Sequence, residues 1–235
     1  MSLITALDPE AAPLPLHRVI AIDGPAASGK STISRLLAAK LGFSYVNTGA
    51  IYRAATWLVL KQGIDPTDEA HAEGAIRAAA FTCGLNAENG RSYILVNGTD
   101  PGEELTSDGV NAAVSHIAKI PGVRDVFLQK QRDFQALADI VVEGRDMGTR
   151  VFPETPYKFF LSANEDVRQQ RRDAQGLQDE IAARDKMDSS RKTAPLTPAP
   201  DAIAVDSSHL SIDGVLNEIL SILAAKGVKE AVVGV

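Results

Sequence analysis

The stretch Ile22–Thr32, IDGPAASGKST, places one lysine in a run of glycine, alanine, serine and proline. Gly24 and Gly29 bracket four small residues, and Lys30 and Ser31 follow directly, which matches the phosphate-loop pattern G-x-x-x-x-G-K-[ST]. The short β-branched run HRVIAIDG precedes the loop, and apolar residues at helical spacing follow it. A strand, a glycine-rich loop and a helix in this order are the context that favours phosphate binding.

The small residues of this loop have a physical reason. A nucleoside triphosphate concentrates negative charge, and a backbone without bulky side chains lets several N–H groups converge on it. The positive end of the following helix points to the same place. Lys30 adds a charge at the β- and γ-phosphates, and the Ser31 hydroxyl is suited to hold Mg²⁺. We predict an ATP site formed by Gly24, Pro25, Ala26, Ala27, Ser28, Gly29, Lys30, Ser31 and Thr32.

Strand and helix signals alternate along most of the chain. FSYVNTG, DIVVEG, KFFLSA and DAIAVDSS are further short strand-like runs, and AIYRAATWLVLKQG and SIDGVLNEILSILAAKG are helical, the latter with Ser211 as a predicted N-cap. This alternation predicts an α/β fold with a parallel sheet covered on both faces. FTCGLNAENGRSYILVNGTD departs from it, because two strand-like runs meet at Asn89-Gly90, which predicts a small antiparallel insert.

Composition limits the class of protein. The 235 residues carry a net charge of −6, so no overall basic field attracts the chain to nucleic acid. The single cysteine, Cys83, is predicted to be a buried apolar residue and fits a reducing, cytoplasmic environment. No run approaches the ~18 apolar residues of a membrane span, and MSLITALDPEAAPLPLH resembles a flexible tail more than a signal peptide.

Charged residues are concentrated in three further segments. VVEGRDMGTR follows an apolar strand at its carboxyl end, where α/β sheets bind ligands, and Glu143 there is a candidate to support a metal through water. The planar fork of arginine suits phosphate oxygens, so clustered arginines beside a phosphate loop predict two phosphorylated ligands facing each other. The other two segments place Arg168, Arg171 and Arg172, and then Arg184, Asp188 and Arg191, each on one helical face.

Four motifs together carry a resemblance to a known family. IDGPAASGKST, TGAIYR, EGRDMGTRVFP and R-D-x-x-D-x-x-R-x-x-A-P-L together resemble the bacterial cytidylate kinases, from about residue 19 to 222. The resemblance implies a P-loop NTPase fold of the nucleoside-monophosphate-kinase type with a five-stranded parallel sheet flanked by helices. It implies a tail over 1–16 and a single domain over 17–235, with a core of 17–62 and 139–235, a monophosphate-binding insert of about 63–138 and a helical lid of about 164–190.

The resemblance also implies residue roles. It implies ATP and Mg²⁺, with Ser31 and, through water, Glu143 at the metal. The chain departs from the family pattern at three places. Asn47 stands where an acid is usual, Thr106 stands where an arginine is usual, and the stretch between Arg172 and Arg184 is short. The implied catalytic residues are Lys30, Arg145, Arg171, Arg172 and Arg191. The implied CMP-binding residues are Thr48, Tyr52, Arg53, Ser115, Arg124, Arg145, Asp146, Arg184, Asp188 and Arg191.

The chemistry of cytosine agrees with two of these roles. A carboxylate such as Asp146 accepts from the exocyclic amine of cytosine, and Arg124 donates to the O2 and N3 acceptors. Uracil lacks that amine and leaves Asp146 without a partner, which a buried site rejects. We therefore predict a monomeric enzyme that transfers phosphate from ATP to the small-molecule nucleotides CMP and dCMP, giving ADP and the diphosphate.

Two other functions remain open from the residues. A P-loop kinase with another nucleoside monophosphate or a small metabolite as acceptor would carry the same loop. A non-catalytic nucleotide-binding module or switch is the second alternative. Guanine-specific switches need an [NT]-K-x-D segment, which does not occur, and the D-x-x-G match at Asp173–Gly176 falls in a helical pattern.

Overall fold

A five-stranded parallel sheet forms the centre of the protein. The computed structural model describes residues 3–4, 16–174, 185, 187 and 195–231. The strand order is β3-β6-β2-β7-β8, and each neighbouring pair is parallel. The predicted α/β class and the five-stranded parallel sheet are therefore confirmed. The strands are β2 (Val19–Asp23), β3 (Ser44–Asn47), β6 (Ile140–Gly144), β7 (Tyr157–Ser162) and β8 (Ile203–Asp206).

Helices cover both faces of this sheet. Gly42 ends the first helix in a left-handed conformation with φ 68°. As predicted, the Ser211 hydroxyl caps the last helix, by accepting from the Gly214 N–H at 3.1 Å. In the described part of the chain, no helix combines the length and apolar character needed to cross a bilayer. The helices are α1 (Lys30–Leu41), α2 (Thr48–Lys61), α3 (Glu69–Ala78), α4 (Asp108–Ala118), α5 (Pro121–Arg132), α6 (Glu165–Asp173) and α7 (Ile212–Ala225).

The central strand β2 contributes to two separate apolar cores. Successive side chains of a strand point to opposite faces, so Val19 and Ala21 join the core beneath α2, α4 and α5. Ile20 and Ile22 join the second core, beneath α1 and α7. All five residues of β2 are buried. A strand that is buried on both faces typically has a continuous apolar sequence, and β2 has such a sequence.

A small antiparallel sheet forms where the sequence departs from the alternation of strands and helices. Strands β4 (Phe81–Asn86) and β5 (Ser92–Val96) form the predicted hairpin, and Gly90 in the turn has φ 63°. Two residues of the predicted tail form β1 (Leu3–Ile4), which pairs with β4 on its other side. The open edge of a strand has unpaired backbone N–H and C=O groups, and β1 pairs with some of these groups in β4. Cys83 lies in β4, where burial raises the pKa of its thiol to about 11.

The register of the sheet aligns the carboxyl ends of three strands. Asp23 at the end of β2 is paired with Gly144 of β6, and Asn47 at the end of β3 is paired with Glu143. The ends of parallel strands are the edge at which open α/β sheets bind ligands. The phosphate loop, the second helix and the segment after Gly144 therefore all begin at one edge.

Candidate active site

The phosphate loop has a backbone that side chains would obstruct. Gly24 has φ 152°, and a Cβ atom on it would lie 2.0 Å from the carbonyl oxygen of Leu161. Ala27 and Gly29 have φ values of 57° and 94°, both in the left-handed region. Successive residues of this kind turn backbone N–H groups inward to form an anion-binding concavity. Lys30 opens α1 and is buried, with its Nζ atom donating to the Pro25 carbonyl at 2.5 Å.

Contacts from distant segments hold this loop. Arg168 of α6 donates from Nη1 to the Ala26 carbonyl at 3.2 Å and forms an ion pair with Asp185. Asp185 in turn accepts from the Ala26 N–H at 3.3 Å. The buried Ser207 hydroxyl lies 3.0 Å from the Ser28 carbonyl oxygen. Neither Asp185 nor Ser207 was among the predicted site residues. Asp185 lies in the motif R-D-x-x-D-x-x-R, which could have marked it, whereas nothing local in the sequence distinguishes Ser207 from a surface serine.

One cavity of about 440 Å³ lies along the outer side of the loop, and we call it the donor cavity. Arg171 enters its wall and donates to the hydroxyl and carbonyl oxygens of Ser207 at 3.0 and 2.8 Å. Leu210 and Ile212 supply an apolar wall although 40% and 53% of their surfaces are exposed. An apolar wall next to a polyanion site suits a ligand with a flat base and a phosphate tail. The predicted residues that line this cavity are Ala27, Ser28, Gly29, Lys30, Ser31, Thr32, Arg171 and Arg172.

A second cavity, of about 490 Å³, lies between the loop and helices α2, α4 and α5, and we call it the acceptor cavity. It contains every described residue for which CMP binding is predicted. Of the residues predicted to bind ATP, Gly24 and Pro25 line neither cavity, and Ala26 lines only the acceptor cavity. Arg184, Asp188 and Arg191, also predicted here, lie outside the described residues. The predicted residues that line the acceptor cavity are Thr48, Tyr52, Arg53, Ser115, Arg124, Arg145 and Asp146.

A buried ion pair forms the deep wall of the acceptor cavity. Arg124 of α5 and Asp146 are 3% and 2% exposed, and the Arg124 guanidinium is bonded directly to the Asp146 carboxylate. The same guanidinium lies over the ring of Tyr52, 5.2 Å from its centroid. Ser115 of α4 is buried beside them. A buried donor and a buried acceptor held side by side have the chemistry needed to bind the polar edge of a base.

Two further arginines, both half-buried, line the acceptor cavity. Arg53 of α2 donates from Nη1 to the Leu105 carbonyl at 2.9 Å and to the Asn111 side-chain oxygen at 2.7 Å. Arg145 donates from Nη1 to the Gly24 carbonyl at 3.0 Å, which brings it against the phosphate loop. Guanidinium groups suit phosphate better than lysine does, because their planar fork matches two oxygens.

The two cavities meet at the phosphate loop. Ala27, Lys30, Ser31 and Arg172 line both of them. Three of these four residues, Lys30, Ser31 and Arg172, carry a cation or a hydroxyl toward the junction. A group transferred between a ligand in one cavity and a ligand in the other would pass this point, where positive charge is concentrated.

The candidate metal residues belong to the same region. Glu143 is buried in the wall of the acceptor cavity, and its Oε1 atom accepts from the Tyr45 hydroxyl at 2.7 Å. Burial and the neighbouring Glu143 raise the pKa of Tyr45 above its ordinary value, so its proton stays in place. No group of three or more His, Cys, Asp or Glu side chains forms a metal cluster within the described ranges. A hydroxyl and one carboxylate fit Mg²⁺, which keeps several waters and binds substrate phosphates.

Two of the departures from the family pattern have structural roles. The Asn47 side chain accepts from the Ala50 N–H at 3.3 Å and so caps α2. Thr106 donates from its hydroxyl to the Glu103 carbonyl at 2.9 Å, within a short 3₁₀ turn. Asparagine is among the preferred N-cap residues, so the exchange at Asn47 keeps the start of the helix that carries Tyr52 and Arg53.

The sheet, the phosphate loop at its edge and the arginine-lined cavity beyond it define the class of P-loop kinases. The family model described as "Cytidylate kinase" matches residues 20–225. The cytidylate kinase of Nocardia farcinica is 40% identical over 218 residues, which cover 88% of this chain and 93% of that protein. The cytidylate kinase of Pseudomonas savastanoi is 41% identical over 228 residues, covering 89% and 96%. The chain therefore belongs to the cytidylate kinase family.

The overall superposition on solved structures is weaker. "Crystal structure of TT1252 from Thermus thermophilus" aligns over 90% of this chain and 98% of its own, with 16% identity and a TM-score of 0.43. At that score the likeness supports no inference about function. The family assignment is carried by the sequence matches.

Proposed function

We propose that this protein transfers the γ-phosphoryl group of ATP to CMP and dCMP, giving ADP and the corresponding diphosphate. The observation that carries the proposal is the junction of the donor and acceptor cavities at Lys30, Ser31 and Arg172. Membership of the cytidylate kinase family supports the choice of substrates. ATP occupies the donor cavity and the monophosphate occupies the acceptor cavity, with their phosphate ends facing each other.

The ion pair of the acceptor cavity recognises cytosine in this proposal. Asp146 accepts from the exocyclic amine, and Arg124 donates to the O2 and N3 side of the ring, with Ser115 beside them. The pair is buried, so a base that leaves either partner unmatched incurs the cost of an unsatisfied polar group. Tyr52 lies against the Arg124 guanidinium and limits its movement. This wall favours CMP over UMP.

The transfer itself needs positioning and charge neutralisation. An oxygen of the acceptor phosphate attacks the γ-phosphorus, the bond to the β,γ-bridging oxygen breaks, and ADP leaves with that oxygen. The acceptor phosphate is already ionised, so no side chain has to remove a proton from it. Arg53 and Arg145 hold the acceptor phosphate, while Lys30, Arg171 and Arg172 neutralise the charge that develops along the donor phosphates.

Mg²⁺ would be held by the Ser31 hydroxyl directly and by Glu143 through water. When bound, the metal supplies positive charge to the β- and γ-phosphate oxygens. Tyr45 orients Glu143 by donating to Oε1 at 2.7 Å, and the Thr48 hydroxyl donates to the Glu143 carbonyl at 2.6 Å. The first contact fixes the carboxylate and the second fixes the main chain of Glu143 before any nucleotide binds.

The remaining predicted roles stay proposals. Arg184 and Asp188 would contact the ribose and Arg191 the phosphates, in a lid of about 164–190 that closes on ATP and excludes water. Asp185 and the residues of α6 are the described parts of that lid nearest the loop. The domain bounds, the monomeric state and the cytoplasmic location stay predictions.

Steady-state turnover on a panel of acceptors tests the proposal. ADP formation is measured with Mg·ATP and CMP, dCMP, UMP, AMP or shikimate, and Lys30→Met serves as the inactive control. We expect turnover with CMP and dCMP and far less with the other three. Turnover with a different acceptor alone would favour the other P-loop kinase, and tight ATP binding without ADP from any acceptor would favour a binding module.

A further inference from the structure

We propose that Asp23 is a positioning residue that fixes the acceptor-phosphate clamp relative to the phosphate loop. It does so through the turn Met147–Val151 and without touching substrate. The inference rests on the proposed function, since it concerns the site assigned to CMP. Asp23 ends β2, one residue before Gly24, and no role was predicted for it from the sequence.

The Asp23 carboxylate caps that turn at its amino end. Its two oxygens accept from the backbone N–H groups of Met147 and Gly148, both at 2.8 Å. The turn Met147–Val151 is a single π-helical turn, and the two N–H groups are the first that it leaves without a partner. Asp23 is 3% exposed, so water does not replace it. A buried carboxylate that bonds two amides therefore fixes the backbone directly after Asp146.

The residues immediately before the turn are those assigned to the acceptor. Arg145 and Asp146 precede Met147 directly, so their position follows that of the capped backbone. Arg145 also donates to the carbonyl of Gly24, the neighbour of Asp23. The dipeptide Asp23-Gly24 thus holds both the main chain and the guanidinium of the acceptor segment. The same dipeptide opens the phosphate loop, so the donor and acceptor sites share one anchor.

The carboxyl end of the turn is held from the opposite side. Arg132 of α5 donates from Nε to the Val151 carbonyl at 2.9 Å and from Nη2 to the Arg150 carbonyl at 3.0 Å. An anion at the first N–H groups and a cation at the last carbonyls both complement the dipole of a helical turn. Substitution of Arg132, which is less buried than Asp23, should therefore also weaken the attachment of the turn.

The charges around Asp23 agree with a holding role. Burial raises the pKa of the Asp23 carboxyl from 3.8 to about 6, while the two amide bonds lower it. Asp146 faces it and raises the pKa further, and Lys30 faces it and lowers it. Burying a carboxylate is costly. The two oxygens of Asp23 offset this cost because they accept from two backbone N–H groups at once.

The test compares Asp23→Asn with a matched variant at the other edge of the sheet. An asparagine keeps one acceptor oxygen but turns an NH₂ group toward the second N–H, so one bond is lost and two donors oppose each other. Asp139 is the control, because its carboxylate accepts a backbone N–H, that of Arg18 at 2.7 Å, across two neighbouring strands. For each protein, KM and kcat are measured with CMP and ATP, and the equilibrium Kd of each nucleotide is measured by calorimetry.

For Asp23→Asn we expect the KM and Kd for CMP to rise at least ~10-fold and kcat to fall, while the Kd for ATP changes less than ~3-fold. Asp139→Asn should leave all four constants within ~2-fold of the wild type. Equal weakening of both nucleotides, or no change in either, would overturn the proposal. An inactive wild type that still binds CMP and ATP would instead refute the proposed function, and the two Kd values would still test Asp23.

Arg132→Ala keeps the proposal testable if Asp23→Asn does not fold. Its side chain is partly exposed, and its removal frees the Arg150 and Val151 carbonyls without burying a new polar group. We expect a smaller rise in the KM and Kd for CMP, about 3- to 10-fold, with the Kd for ATP unchanged. A variant that melts at a lower temperature with unaltered CMP constants would assign the turn a purely structural role.

Discussion

Arg145 donates from Nη1 to the carbonyl oxygen of Gly24 at 3.0 Å, so a residue of the acceptor cavity contacts the first glycine of the phosphate loop. The two residues are 121 positions apart in the chain. The parallel pairing of β2 with β6 brings them together, because both follow the carboxyl ends of neighbouring strands. The donor and acceptor sites are therefore adjacent before any nucleotide binds.

Arg145→Ala should lower kcat/KM for CMP by ~10³-fold, about 4 kcal/mol, because a cation at the transferred group is lost. Arg145→Lys should recover only part of this, since lysine lacks the planar fork. Steady-state kinetics measure both. Arg150→Ala is the matched control in the same segment, because Arg150 pairs at the surface with Asp125. Near-normal activity of Arg145→Ala would exclude Arg145 from the phosphate clamp.

Asp146→Asn should reduce both stability and base selectivity. It removes the carboxylate charge that pairs with the buried Arg124 guanidinium, which costs about 3 kcal/mol of unfolding free energy. An amide both donates and accepts, so the preference for CMP over UMP in kcat/KM should fall at least ~10-fold. Denaturant unfolding and a two-substrate kinetic comparison measure the effects.

The control for this change is Asp125→Asn on α5. Asp125 pairs with Arg150, and 61% of its side chain is exposed, so an exposed pair of this kind contributes less than ~1 kcal/mol. Its selectivity should equal that of the wild type. An unaltered CMP-to-UMP ratio in Asp146→Asn would show that another residue reads the cytosine amine.

Ser207→Ala should raise the KM for ATP by ~10-fold. The Ser207 hydroxyl joins Arg171 to the Ser28 carbonyl of the phosphate loop, and its loss removes both hydrogen bonds, at about 1 kcal/mol each. The KM for CMP should change little. Ser208→Ala is the control, because its hydroxyl bonds the Asp206 carboxylate and the Asn164 N–H and lines neither cavity. If the two variants give the same KM for ATP, Arg171 does not depend on Ser207.

The raised pKa of Asp23 predicts a specific pH dependence of stability. The carboxyl ionises near 3.8 in the unfolded chain and near 6 in the folded one, so the folded state holds this proton more tightly. The stability that Asp23 contributes is full below pH 3.8 and declines by about 3 kcal/mol as pH rises to 6. Above that pH the contribution is constant.

Asp23→Asn separates this effect from the titration of groups that do not face Asp23, since those groups titrate equally in both proteins, whereas Asp146 and Lys30 face it. The unfolding free energy of the wild type minus that of Asp23→Asn should fall between pH 4 and 6.5 and then level. Urea unfolding at several pH values measures it. A difference that rises over this range would mean that the folded protein lowers the pKa of Asp23.

Much of the fold could be predicted from local patterns. The strand, loop and helix around Lys30 follow from short-range chemistry, because glycine positions and apolar spacing decide local conformation. The hairpin at Asn89-Gly90 and the caps at Gly42 and Ser211 are of the same kind. The resemblance to the cytidylate kinases implied roles at the base for Arg124 and Asp146, of which only Asp146 lies in a quoted motif, EGRDMGTRVFP, and these roles stay predictions.

The supporting residues of the site could not be predicted in this way. Ser207 and Asp185 contact the phosphate loop across 179 and 159 positions of sequence, and no short-range pattern predicts either contact, although Asp185 lies in the motif R-D-x-x-D-x-x-R. Asp23 lies in the segment IDGP, next to the phosphate loop. Its partners are the backbone N–H groups of Met147 and Gly148, and because every residue except proline has such a group, the sequence does not identify them.

The amino-acid sequence by itself determined that a parallel sheet carries a phosphate loop and that arginines are concentrated in a few segments. These properties depend on residues within one or two turns of each other, where spacing fixes geometry. Only the tertiary structure decided that Asp23 and Gly24 anchor the segment of Arg145, and that two cavities meet at Lys30. Those relationships require β6 to lie beside β2, and strand order arises from the packing of both cores at once.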